Sequence, residues 1–181
     1  LVGMLSTGQL HAWSKISRRV LWGADLRFPV GRYFEDMATM PLMALRAQTF
    51  YYAPQPWVAY RQRASSILAT MSLPKAMDQS AALLPLAQAI RQTSLHAHAG
   101  VRLALAQQAA RCLIGALRYV CGSQGGAAQG EPPSRVAAQV RHHFCEISPL
   151  APEALARAYL LRGWWLRRQK FLHWYHVRPR P

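Results

Sequence analysis

Glu35 and Asp36 are the residues best suited to chemistry. They are the one adjacent carboxylate pair in a chain with seven acidic residues against 22 Lys plus Arg. A fixed carboxylate can take the proton from a hydroxyl while its oxygen attacks, which is general-base catalysis. The pair ends the stretch Phe28-Pro-Val-Gly31-Arg-Tyr33-Phe-Glu35-Asp36. Trp13, Lys15, Arg18 and Arg19 precede it, and Trp57-Val-Ala-Tyr60-Arg61-Gln-Arg63-Ala-Ser65-Ser66 follows. Cations near a reacting centre stabilise charge that develops on a leaving group. Aromatic faces stack on sugar rings or bases. This combination suits transfer of a sugar from a nucleotide donor to a hydroxyl. Taken alone, Glu35-Asp36 is more often a solvated helix N-terminus, so the flanking segments decide the reading.

The elements that must position these groups follow from local rules. Proline forces Phe28 to be extended, and Gly31 allows a turn of unusual backbone angles. Asp36 reads as the N-cap of a helix over Met37–Arg46, with Pro41 near its first turn. His11 to Trp22 reads as a short amphipathic helix. Trp13, Ile16 and Val20 would take one side, and Lys15, Arg18 and Arg19 the other. Leu1 to Leu10 has no clear period and reads as loop. Thr49–Tyr52 and Trp57–Tyr60 read as short strands. Past Thr70 the chain turns helical over Met77–His98, split by Pro85, and over Val101–Val120. In the latter, Leu103, Ala106, Ala110, Leu113, Leu117 and Val120 make one apolar face. Cys121 to Pro133 is a Gly-rich linker. A helix over Ser134–Glu146 follows, and Pro152 starts a last helix through about His176. Four segments result: 1–72, 73–121, 122–133 and 134–181.

Three segments carry a resemblance: His11-Ala-Trp13-Ser-Lys15-Ile-Ser-Arg18-Arg19, then Phe28-Pro-Val-Gly31-Arg-Tyr33-Phe-Glu35-Asp36, then Tyr60-Arg61-Gln-Arg63-Ala-Ser65-Ser66-Ile67. In this order they resemble the second half of family-2 glycosyltransferases, the inverting bacterial enzymes of capsule, exopolysaccharide and lipopolysaccharide synthesis. The resemblance covers roughly residues 10–72. It implies an α+β fold: the C-terminal part of a GT-A, Rossmann-like domain with a few short strands, then a mostly helical region. It implies Asp36 as the acceptor-activating base and Glu35 as its partner. Trp13, Lys15 and Gly31 would line the acceptor side, and Tyr60, Arg61 and Arg63 the diphosphate. The implied partners are a nucleotide-sugar donor and a saccharide or lipid-linked acceptor. The implied cofactor is a divalent metal, Mg or Mn, with its ligands in a donor-binding half upstream of Leu1. No Asp-x-Asp occurs among Asp25, Asp36 and Asp78.

Net charge +15 and a pI near 11.0 point to an anionic partner. A basic nucleic-acid-binding module is the rival reading. It leaves Glu35-Asp36 unexplained, because carboxylates repel phosphate. Three cysteines, at 112, 121 and 145, are too few for a disulfide framework and suit a reduced, cytoplasmic setting. No apolar run reaches the roughly 20 residues that span a bilayer. The tail from Leu160 to Tyr175 mixes Trp164, Trp165 and Trp174 with Arg167, Arg168 and Lys170. Such a helix can lie on the anionic inner face of a bacterial membrane or pack its aromatics on the protein. His142-His143 and Cys145 lack metal-ligand spacing, and Cys112 reads as core.

Overall fold

Ala and Leu dominate residues 99–120, and that segment forms the central helix of an all-helical fold. The computed structural model describes residues 1–59, 61, 70–122 and 131–179. Through them run α1 (Val2–Thr7), α2 (Glu35–Arg46), α3 (Leu73–Ala81), α4 (Leu84–Arg91), α5 (Ala99–Val120), α6 (Pro133–Ile147), α7 (Pro152–Leu161) and α8 (Trp165–His176). Three single 3-10 turns cover Ala12–Ser14, Arg19–Leu21 and Ser94–Ala97. His98 Nδ1 accepts from the Val101 N–H and so caps α5. Buried alanines at 104, 106, 109, 110 and 116 leave room for close approach, and α1, α3, α6, α7 and α8 all pack on α5. One core runs from Met4 and Leu5 of α1 through Leu105, Leu113 and Leu117 of α5 to Val140, Phe144, Leu155 and Phe171. Leu103 alone of the expected α5 face is only half-buried.

The α+β expectation is wrong: among the described residues there is no strand. Thr49–Tyr52 and residues 57–59 have strand-like side chains, but among the described residues no strand lies beside them to take their N–H and C=O groups. Phe50, Tyr51, Tyr52, Trp57 and Val58 are accordingly exposed. A sheet-domain fragment of the Rossmann-like kind is therefore not the fold seen here. Tyr60 and the linker residues 123–130 lie outside the described residues.

Other boundaries shift for local reasons. Residues 2–7 form a helix where no period was visible, because Met4 and Leu5 are drawn into the α5 core. Gly8, at φ 77°, ends that helix in the left-handed conformation. Residues 11–22 make two separate 3-10 turns instead of one helix, and Ile16 and Val20 face solvent. Pro85 does divide its segment, standing in the first turn of α4. Pro41 lies inside α2 rather than at its start. The last helix breaks at Gly163, φ 69°, which separates α7 from α8.

Candidate functional site

Asp36 sits in the first turn of α2, one residue past Glu35. The helix starts two residues earlier than the sequence suggests, so Asp36 is not the N-cap. That position is Phe34, held at φ 58°, ψ 34°. A bulky residue in the left-handed region is unusual and marks a conformation fixed by its surroundings. Asp36 Oδ1 accepts from the Met37 N–H at 2.8 Å. Its other oxygen, Oδ2, lies 3.4 Å from His11 Nδ1. The free N–H groups at the start of α2 place positive potential beside both carboxylates.

Two segments hold this helix start. The 3-10 turn at Ala12–Ser14 brings the flanking His11 and Lys15 to Asp36. Within it the His11 and Trp13 rings stack, with centroids 5.2 Å apart and planes 17° apart. Lys15 Nζ donates to the His11 carbonyl at 2.7 Å and to Ser14 Oγ at 2.9 Å. Burial pushes the Lys15 ammonium below its ordinary range, while the nearby Asp36 carboxylate acts the other way. The second support is α3, where Asp78 Oδ2 accepts the Tyr33 N–H at 2.9 Å and Lys75 Nζ lies 5.4 Å from the Tyr33 ring centre.

The far end of α2 is tied down as well. Arg46 donates through Nη1 to Asp25 Oδ1 at 3.0 Å, pairs a second time through Nη2 and Oδ2, and reaches the Leu21 and Trp22 carbonyls. The Arg46 hydrogen bond holds the Asp25 carboxyl below the usual carboxylate range. Between the two ends, Leu26, Met40 and Met43 form a small second core with Ala12, Leu21, Trp22 and Leu42 around it. Residues 11–26 thus pack on the flank of α2 although they form no regular helix.

Of the expected site residues, Lys15 and Asp36 come within electrostatic reach, and Trp13 stacks on the His11 that meets Asp36. Glu35 is exposed on the same turn and forms no ion pair among the described residues. Gly31 is exposed at φ 72° with nothing within 4 Å of where its Cβ would stand, so its role is to turn the chain. Arg61 is exposed. Tyr60 and Arg63 fall outside the described residues. His11 was legible as part of the first segment but not as a neighbour of Asp36. Asp78 and Lys75, far along the chain, gave no signal. Among the described residues no three His, Cys, Asp or Glu side chains gather to hold a metal ion, and none of these helices is long and apolar enough to cross a membrane. No protein-family model, curated protein or solved structure matches the chain.

Proposed function

We propose that the α2 start and the turn around it form the acceptor-activating part of an inverting, nucleotide-sugar-dependent glycosyltransferase. The observation that carries this reading is the approach of His11 and Lys15 to Asp36, with Trp13 stacked on His11. Asp36 takes the proton of an acceptor hydroxyl. The hydroxyl oxygen attacks the anomeric carbon, and the bond to the nucleoside diphosphate breaks with its electron pair leaving on phosphate oxygen. The Trp13 ring, stacked on His11, offers a flat surface for a sugar. Lys15 keeps a cation within reach of the developing charge. The metal implied by the resemblance finds no ligand set among the described residues, and no step here runs through one.

The test is transfer from a panel of nucleotide sugars to saccharide acceptors by the full-length protein, as wild type, as Asp36→Asn and as Glu131→Gln, an exposed carboxylate far along the chain. The expected result is a loss of at least about 100-fold for Asp36→Asn and none for Glu131→Gln. Equal turnover by all three would end the reading.

A second reading concerns the tail. Leu161, Trp165 and Leu166 around the α7–α8 bend are 74%, 64% and 82% exposed. Arg157, Arg162 and Arg167 stand in the same two helices and their junction, also exposed. Apolar groups flanked by arginines fit the interface of an anionic membrane. This reading is compatible with a lipid-linked acceptor.

A further inference from the structure

A cavity of about 300 Å³ lies between α5 and α8, away from Asp36, with Tyr159 of α7 on its wall. Helical spacing explains its lining. Gln107, Arg111 and Arg118 follow one another along one face of α5, and Arg167 and Lys170 lie one turn apart on α8. Four cations therefore surround one recess whose lining contains no carboxylate, and none of the four is paired with a carboxylate among the described residues. Gathering like charges is unfavourable unless an anion relieves the repulsion.

Two further observations favour a ligand. Two arginines are held in place: Arg111 donates to the Ser6 carbonyl at 2.8 Å and to Gln108 Oε1 at 3.0 Å, and Arg167 lies 4.6 Å from the Trp164 ring centre. Burial raises the Tyr159 phenol to about 12, with Arg167 and Arg111 acting against it, so both guanidiniums are within electrostatic reach of its hydroxyl.

We infer that this cavity binds a phosphate-bearing anion of the size of a phosphate monoester or a diphosphate. Arginine forks match phosphate oxygens with paired N–H donors, Lys170 adds a point charge, and the Tyr159 hydroxyl adds a further donor. The inference does not depend on the chemistry of Asp36.

The test is calorimetric titration of the chain with inorganic phosphate, with pyrophosphate and with dihexanoyl phosphatidate, at about 150 mM NaCl. Arg167→Gln/Lys170→Gln is expected to weaken binding at least about 10-fold. The charge-matched Arg135→Gln/Arg178→Gln, placed elsewhere, is expected to change it less than about 2-fold. Phosphatidate bound at least about 10-fold tighter than pyrophosphate through the same residues identifies a lipid headgroup as the source; equal binding identifies a soluble phosphate. Equal losses in both double variants, or binding untouched by Arg167→Gln/Lys170→Gln, overturns the inference.

Discussion

His11 Nδ1 stands 3.4 Å from Asp36 Oδ2, bringing an imidazole against the carboxylate at the start of α2. The ring is fixed from its other side by Trp13, and its carbonyl is held by Lys15. A base whose lone pairs are aimed by a neighbour loses less rotational freedom when it meets a hydroxyl. If Asp36 is the base, His11 is a positioning residue. His11→Ala is expected to lower kcat about 10-fold with KM little changed, a smaller effect than Asp36→Asn. Steady-state kinetics of the two variants check this. A rise in KM alone would assign His11 to substrate binding instead.

Lys15 makes a pH prediction with a definite sign. Burial outweighs Asp36 and lowers its affinity for a proton in the folded state. Between that lowered value and 10.5, the unfolded chain binds more protons than the folded one. Stability from this group therefore rises with pH through that window, and the full desolvation cost is felt below it. Urea unfolding from about pH 7 to about pH 10 is expected to show the wild type gaining on Lys15→Gln. A wild type that instead loses ground would mean that the Asp36 attraction dominates.

What the sequence disclosed and what it hid follow the same physics. One face of α5 was legible because Ala106, Ala110, Leu113, Leu117 and Val120 recur every three to four residues, whereas the unbroken burial of residues 104–110 was not, and Pro85 was legible because a missing N–H acts locally. The break at Gly163 was not, since one glycine in a helical pattern is compatible with either outcome. Tyr51 and Tyr52 favour strands only when a partner strand exists, and the described residues supply none. Lys15 and Asp36 were read from two separate segments, and the fold sets them within electrostatic reach of each other. Asp78 and Lys75 were missed because the Tyr33 contact is made from another part of the chain. The cavity between α5 and α8 was hidden because its cations come from two helices separated by the linker.

Tyr159 makes a second pH prediction, opposite in sign to that of Lys15. Its phenol is buried and raised from 10.0 to about 12. The folded state therefore keeps a proton that the unfolded state loses. The resulting stability is fully present below pH 10 and is lost as pH rises toward 12. Tyr159→Phe cannot titrate, so the wild type is expected to lose at most about 2 kcal/mol relative to it over that range. Chemical unfolding at stepped alkaline pH reads the difference. Parallel curves for the two proteins would show that the phenol is hydrated.

The two faces of α8 are expected to separate stability from surface binding. Phe171 is fully buried, with ring centres 5.5 Å from Phe144, 6.2 Å from Tyr159 and 5.7 Å from Tyr175. Phe171→Ala leaves a cavity at that junction and is expected to cost about 3–5 kcal/mol in urea unfolding. Leu161 and Leu166 face solvent, so Leu161→Ser/Leu166→Ser is expected to change stability by less than about 1 kcal/mol. The same double variant removes apolar area that a bilayer interface would cover. Its binding to vesicles containing phosphatidylglycerol is expected to fall at least about 10-fold, read by vesicle sedimentation. Unchanged sedimentation would show that the exposed leucines are not what a membrane meets, and the docking reading of the tail would be withdrawn.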